Sequence, residues 1–123
     1  MKLAPDLTSQ ELEDALGVIM QTGMDGVIVT NATLERVGLR SPLAHETGGL
    51  SGLPLRARSE EVLRETLRCV GGRIPVVSAG GIMGPEDARR RLDMGAALVQ
   101  VYTGLIYRGP GLVRQIVKGL PEK

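Results

Sequence analysis

The residues best suited to chemistry in this sequence gather around its glycine pairs. Gly80-Gly81 follows the apolar run Ile74-Pro75-Val76-Val77-Ser78-Ala79 and precedes Pro85-Glu86-Asp87, a helical start. With no side chains in the way, backbone N–H groups there can reach phosphate oxygens, and the following helix adds a positive dipole end. An ordinary tight turn between strand and helix uses the same pair, so the pair alone leaves both readings open. Thr103-Gly104 repeats the pattern after Ala97-Leu98-Val99-Gln100-Val101-Tyr102. In barrels, phosphate sites frequently form from two adjacent strand ends of this kind. Gly48-Gly49-Leu50-Ser51-Gly52 lies in the long stretch from Asn31 to about Arg58. A loop of that length is usually functional or disordered. Few charges in its second half point to a loop ordered against something rather than a flexible surface segment.

Single residues are less informative. Asn31, directly after a strand, can hydrogen-bond a planar substrate or simply start a turn. Lys2, near Pro5-Asp6, reads from its neighbours as a solvated lysine. His45 has no second ligand at metal spacing and reads as solvated rather than as a zinc ligand. Cys69 has no neighbouring base to activate it, so it reads as packed or half-exposed. Neither a metal cluster nor a Ser-His-Asp arrangement is apparent.

The elements that must position these groups alternate in period. Met1 to Ala4 is a short extended stretch. Thr8-Ser9-Gln10-Glu11 forms a capping box for a helix with Leu12, Ala15, Leu16, Ile19 and Met20 on one face, stopped at Gly23. Val27-Ile28-Val29-Thr30 is an unbroken apolar run, as in a strand covered on both faces. After the long loop, Ser59-Glu60-Glu61 predicts a helix start and Gly71-Gly72 its end. The runs ending at Ala79 and Tyr102 predict two further strands. A helix from Pro85 to Gly95 lies between them, and another begins at Gly109-Pro110. Strands alternating with helices imply a parallel sheet with right-handed crossovers, its ligands at the carboxyl ends of the strands. Half of an eight-unit barrel and an open doubly wound sheet both satisfy this order.

Composition excludes several classes. The 123 residues carry 15 basic and 14 acidic side chains, a net charge of +1, which gives no electrostatic reason to expect nucleic acid or an anionic membrane as partner. One cysteine excludes an internal disulfide framework. No apolar run approaches the roughly 20 residues of a membrane-spanning helix, and the expectation is of no signal peptide at the start of this sequence. Seventeen glycines against two aromatic residues suggest tight turns, or backbone that approaches a ligand closely.

Taken in order, Lys2-Leu3-Ala4-Pro5-Asp6-Leu7, Asp25-Gly26-Val27-Ile28-Val29-Thr30-Asn31, Glu46-Thr47-Gly48-Gly49-Leu50-Ser51-Gly52, Gly80-Gly81-Ile82 and Leu98-Val99-Gln100-Val101-Tyr102-Thr103-Gly104 closely resemble the C-terminal part of the class 2, quinone-linked dihydroorotate dehydrogenases. The likeness runs through essentially the whole chain. It implies an α/β fold, with residues 1–123 forming about strands five to eight of a (β/α)8 TIM barrel and the N-terminal half absent. It also implies an FMN flavoprotein, an oxidoreductase of pyrimidine biosynthesis that converts dihydroorotate to orotate and passes electrons to a quinone. Carried over by position, Lys2 lies by the flavin ring, where a cation stabilises the charge of the reduced form. Thr30 also contacts FMN and Asn31 bonds orotate. Ser51, Gly52, Gly80, Gly81, Tyr102 and Thr103 hold FMN, the last four around its phosphate.

Two departures from the family pattern stand out. Ala32 replaces a usual threonine and loses a hydroxyl for the substrate, while Ser78-Ala79 stands where Gly-Val is common. The family's serine base belongs to the half not present, as do the N-terminal helices that attach the enzyme peripherally to a membrane. The expectation is therefore a soluble, cytoplasmic fragment, inactive alone, with no catalytic residue of its own and no metal. The alternative is a half-barrel module for FMN or phosphate, or a split subunit, that works only when assembled. Two open sheet edges predict self-association or a complementary barrel half.

Overall fold

The computed structural model describes residues 1–120, so the last three positions of the expected 1–123 unit lie outside the described residues. The elements are β1 (Lys2–Leu3), α1 (Ser9–Gln21), β2 (Val27–Val29), α2 (Arg56–Val70), β3 (Val76–Ala79), α3 (Pro85–Asp93), β4 (Leu98–Gln100), α4 (Thr103–Arg108) and α5 (Gly111–Gly119). A 3₁₀ turn, Leu53–Leu55, leads into α2.

Local chemistry accounts for α1. The Thr8 hydroxyl accepts the Glu11 N–H at 3.3 Å, and the Glu11 carboxylate accepts the Thr8 N–H at 2.8 Å, the expected capping box. The Thr8 N–H, followed by its hydroxyl, holds the Glu11 carboxyl below its ordinary range. Leu12, Leu16 and Ile19 are buried, with Ala15 and Met20 packed beside them, so the periodic face is the one that packs.

All four strands are parallel and stand in the order β1-β2-β3-β4. A doubly wound sheet reverses its order at a switch point. The monotonic order observed is consistent with a partial barrel. Register places Leu3, Val29, Ser78 and Val99 in one row and Lys2, Ile28, Val77 and Leu98 in the next. Neighbouring rows point to opposite faces. The first row packs under the helices: Leu3 and Val29 join a core with Leu12, Leu16, Val62 and Leu63, while Val99 packs against a smaller cluster of Ile82, Ala88, Leu112 and Ile116. The second row is not sealed, for Ile28 and Val77 are half-buried and Leu98 is exposed. Cover on both faces, expected from the apolar runs, is thus realised on one face only.

Several boundaries differ from the sequence expectation, and three of them bear on the site. α2 begins at Arg56 rather than at Ser59, because the Leu53–Leu55 turn runs into it and the Ser59 hydroxyl is used elsewhere, donating toward Gly80 O at 2.8 Å or Arg56 O at 2.9 Å. β4 stops at Gln100, since its partner β3 ends at Ala79 and the chain then turns away. Thr103-Gly104, expected only to close the strand, opens α4. Gly104 sits there because a Cβ would lie 2.7 Å from Ile82 O and 2.9 Å from Leu112 Cδ2. Among the described residues no helix is long and apolar enough to cross a membrane.

Candidate functional site

The carboxyl ends of the strands open onto a cavity of about 590 Å³, within the usual range for small-ligand sites. All nine residues singled out from the sequence line it. Lys2 comes from β1, Thr30 and Asn31 from just after β2, Ser51 and Gly52 from the long loop, Gly80 and Gly81 from the turn after β3, and Tyr102 and Thr103 from the cap and first residue of α4, which follows β4.

Their surroundings differ. The Lys2 side chain is exposed and makes no hydrogen bond or ion pair among the described residues. Thr30 is 2% exposed, and its hydroxyl donates to Ala79 O at 3.4 Å. Asn31 is anchored through its N–H, which donates to Leu3 O at 2.8 Å. Its Oδ1 accepts the Ala32 N–H at 3.0 Å, so the side-chain NH₂ is the end left free. The turn-starting and ligand-facing readings of Asn31 are therefore compatible. Ala32 also lines the cavity, packed where a Cβ on Gly49 would fall.

The long loop is ordered, as the low charge of its second half suggested. Thr33 and Leu50 form an antiparallel bridge, with N–H to carbonyl distances of 2.9 and 2.7 Å. Asp6 accepts the Thr33 hydroxyl and the Leu34 N–H. The Arg36 guanidinium gathers the carbonyls of Thr33, Leu34, Glu35, Glu46 and Gly48. Held in this way, the loop brings Ser51 Oγ within 2.6 Å of Thr103 Oγ1, joining it to the start of α4.

Beneath Gly80-Gly81 lies a polar network that the sequence reading did not anticipate. Asp87 accepts the Met83 N–H at 3.0 Å and pairs with Arg56 at 3.2 Å and Arg90 at 2.9 Å. Burial alone would raise the Asp87 pKa, but the Met83 N–H and the two guanidinium groups outweigh it and hold the carboxyl below its ordinary value. Arg91 is wholly buried against Ser78, Ser59 and Gly80. A sequence signal for it existed: Arg91 falls three residues after Ala88, on the sheet-facing side of α3, where an apolar residue is the rule.

His45 is exposed, and no cluster of three or more metal-ligating side chains occurs among the described residues. Cys69 is half-buried. Burial first, and then the nearby Glu13 carboxylate, push its thiol pKa up, away from reactivity.

Comparison with known proteins decides the family. The dihydroorotate dehydrogenase family model matches residues 1–123. The chain belongs to the dihydroorotate dehydrogenase family. It is 48% identical over 120 residues to dihydroorotate dehydrogenase (quinone) of Deinococcus radiodurans, covering 98% of this chain and 32% of that protein. With the protein of the same name from Parvibaculum lavamentivorans it shares 50% identity over 124 residues, all of this chain and 36% of that one. The crystal structure of DHODH from Eimeria tenella in complex with ferulenol superposes with a TM-score of 0.91 at 44% identity, over 96% of this chain and 32% of that one. The chain thus spans about a third of the length of these relatives.

The donor set suits the flavin mononucleotide that this family implies. Among the described residues the cavity lining includes one cation, Lys2, several hydroxyls and glycine backbone, and no carboxylate. Such a wall accommodates an anionic phosphate without a repulsive partner.

Proposed function

We propose that this chain is the flavin-phosphate-holding part, about strands five to eight, of the TIM barrel of an FMN-dependent dihydroorotate dehydrogenase. The complete enzyme oxidises dihydroorotate to orotate in pyrimidine biosynthesis and delivers electrons to a quinone. The observation that carries this is the convergence of nine residues from four strand ends and one loop on a single carboxylate-free cavity. FMN, when bound, supplies the hydride acceptor. Gly80, Gly81, Tyr102 and Thr103 hold its phosphate. Ser51 and Gly52 would help hold it from the loop, and Thr30 would contact it. Lys2 would supply a cation by the flavin, which stabilises the negative charge that a reduced flavin acquires. Asn31 offers its free NH₂ to the orotate ring system.

The base that removes the substrate proton must lie within hydrogen-bond reach of it, and in this reading it comes from the barrel half outside this chain. The chain alone then binds without turning over, resides in the cytoplasm, and meets a membrane only through segments of the whole enzyme that lie elsewhere. Titration with FMN, read by quenching of flavin fluorescence, tests the binding. Dihydroorotate-dependent dye reduction by the chain alone, clearly above background, overturns the assignment of the base.

A second reading is favoured by the open second row of the sheet and by the edges of β1 and β4, each of which has one strand neighbour. It is a half-barrel module that works only once a second copy or a complementary half covers that face. Light scattering across a concentration series tests it; a monodisperse monomer with cooperative unfolding overturns it.

A further inference from the structure

We propose that Arg91 is a positioning residue that aims the Gly81 N–H into the cavity by clamping the Gly80 carbonyl from below. The inference rests on the phosphate reading of the Gly80-Gly81 turn given above.

Both terminal nitrogens of the guanidinium are hydrogen-bonded, while Nε only pairs with the Glu60 carboxylate and makes no hydrogen bond among the described residues. Arg91 Nη1 donates to Ser78 Oγ at 3.1 Å, and Nη2 lies 2.8 Å from Ser59 Oγ and 3.1 Å from both Arg56 O and Gly80 O. Ser59 Oγ is itself 2.8 Å from Gly80 O, so the carbonyl is held from two sides. The Gly80 carbonyl and the Gly81 N–H belong to one planar trans peptide, whose two ends point in opposite directions. Drawing the oxygen toward Arg91 turns the N–H away from it, toward the cavity that both glycines line. That N–H has no acceptor among the described residues. Gly81 itself admits no side chain, because a Cβ there would fall within the Arg56 backbone. The turn is therefore pressed against α2 with one donor facing outward.

Charge acts in the same direction. Arg56, Arg90 and Arg91 share the network with only Glu60 and Asp87, leaving a surplus positive charge under the turn. Glu60 Oε1 stands 3.4 Å from Arg91 Nε and 3.2 Å from Arg90 Nε. Arginine keeps its proton in such a setting, so the Gly80 carbonyl is polarised by a full cation and its N–H end becomes a stronger donor to an anion. A buried ion pair serving stability alone would need neither the carbonyl contact nor the imbalance.

The test compares FMN with riboflavin, which lacks the phosphate, on the full chain and its variants Arg91→Met, Arg91→Lys and Ser59→Ala. The expected result is a rise of about tenfold in the FMN dissociation constant for Arg91→Met. Riboflavin affinity should stay within about twofold and Arg91→Lys should recover part of the loss, as a charge-assisted contact requires. An unchanged ratio of FMN to riboflavin affinity in Arg91→Met, or an equal loss of both ligands, overturns the proposal. Should Arg91→Met not fold, Ser59→Ala decides, with the Gly81 amide resonance followed as inorganic phosphate is added. A smaller phosphate-induced shift than in the unaltered chain supports the clamp, and an identical shift overturns it. Failure of the unaltered chain to prefer FMN over riboflavin sinks the phosphate reading itself, an outcome distinct from an unaltered chain that discriminates and a variant that still does.

Discussion

The β1–β3 side of the molecule and its β4–α5 side are built from similar residues and end in different states. Under α1 and α2, Leu16, Val27, Val29 and Leu63 are all at 0% exposure. At the other end Leu98 is 64% exposed, Tyr102 80%, Ile106 73% and Tyr107 78%. The difference lies in the supply of neighbours and not in hydrophobicity. β2 and β3 each have a strand on both sides and helices above, whereas β4 has a strand on one side only. Between the two ends, the polar network of Arg56, Glu60, Asp87, Arg90 and Arg91 joins α2 to α3 under the Gly80-Gly81 turn. The chain thus closes its own core where its elements suffice and leaves an apolar margin where they do not.

Truncation should expose this contrast most sharply. Leu63→Ala removes a fully buried side chain from the larger cluster and should cost about 3 kcal/mol in denaturant unfolding. The same truncation at Leu98 should change stability by less than about 0.5 kcal/mol. Equal losses at the two sites would break the comparison.

Asp87→Asn comes next, with an expected cost of about 1–2 kcal/mol, because it weakens the acceptor for Met83, Arg56 and Arg90 together. This group also sets a pH dependence. Its folded pKa lies below its unfolded one. Its stabilising contribution is therefore present above the ordinary aspartate range near pH 4 and is lost as pH falls through the folded value. Urea midpoints followed downward from about pH 5 should fall more steeply for the unaltered chain than for Asp87→Asn. Parallel curves would show that Asp87 does not carry the linkage.

Thr8→Ala removes the α1 cap and should lower stability by about 1 kcal/mol, visible as a small fall in the melting temperature. It tests whether the well-packed side depends on local signals as well as on burial. The smallest expected effect on folding is at the open margin. Leu98→Lys should leave the urea midpoint nearly unchanged and, in the assembled reading, should weaken concentration-dependent association in light scattering. Unfolding by this variant would mean that the second row of the sheet belongs to the core after all.

Much of the fold was legible because its signals are local. The Thr8 box and the spacing of Leu12, Leu16 and Ile19 act within a few residues of chain, and the helix formed where they placed it. Pro85-Glu86-Asp87 likewise began α3. Ser59 misled for the converse reason. Ser-Glu-Glu reads as a helix cap, yet its hydroxyl found the Gly80 carbonyl 21 residues along the chain, and α2 had already begun at Arg56. Arg91 was passed over because an arginine in a charged helix reads as solvated until the helix is docked. Lys2 read as solvated from its neighbours alone, and only the family resemblance set it beside the other site residues. In the fold it does line their cavity.

The sequence by itself determined the alternation of strands and helices, because period and turn chemistry are properties of short segments, while the nine candidate residues came from the family resemblance of its ordered motifs. Tertiary structure alone decided which face of the sheet is sealed, where β4 must stop, and that a buried guanidinium lies beneath the glycine turn. Those outcomes depend on which distant elements are present to bury a side chain or accept its hydrogen bonds, and no local pattern records that.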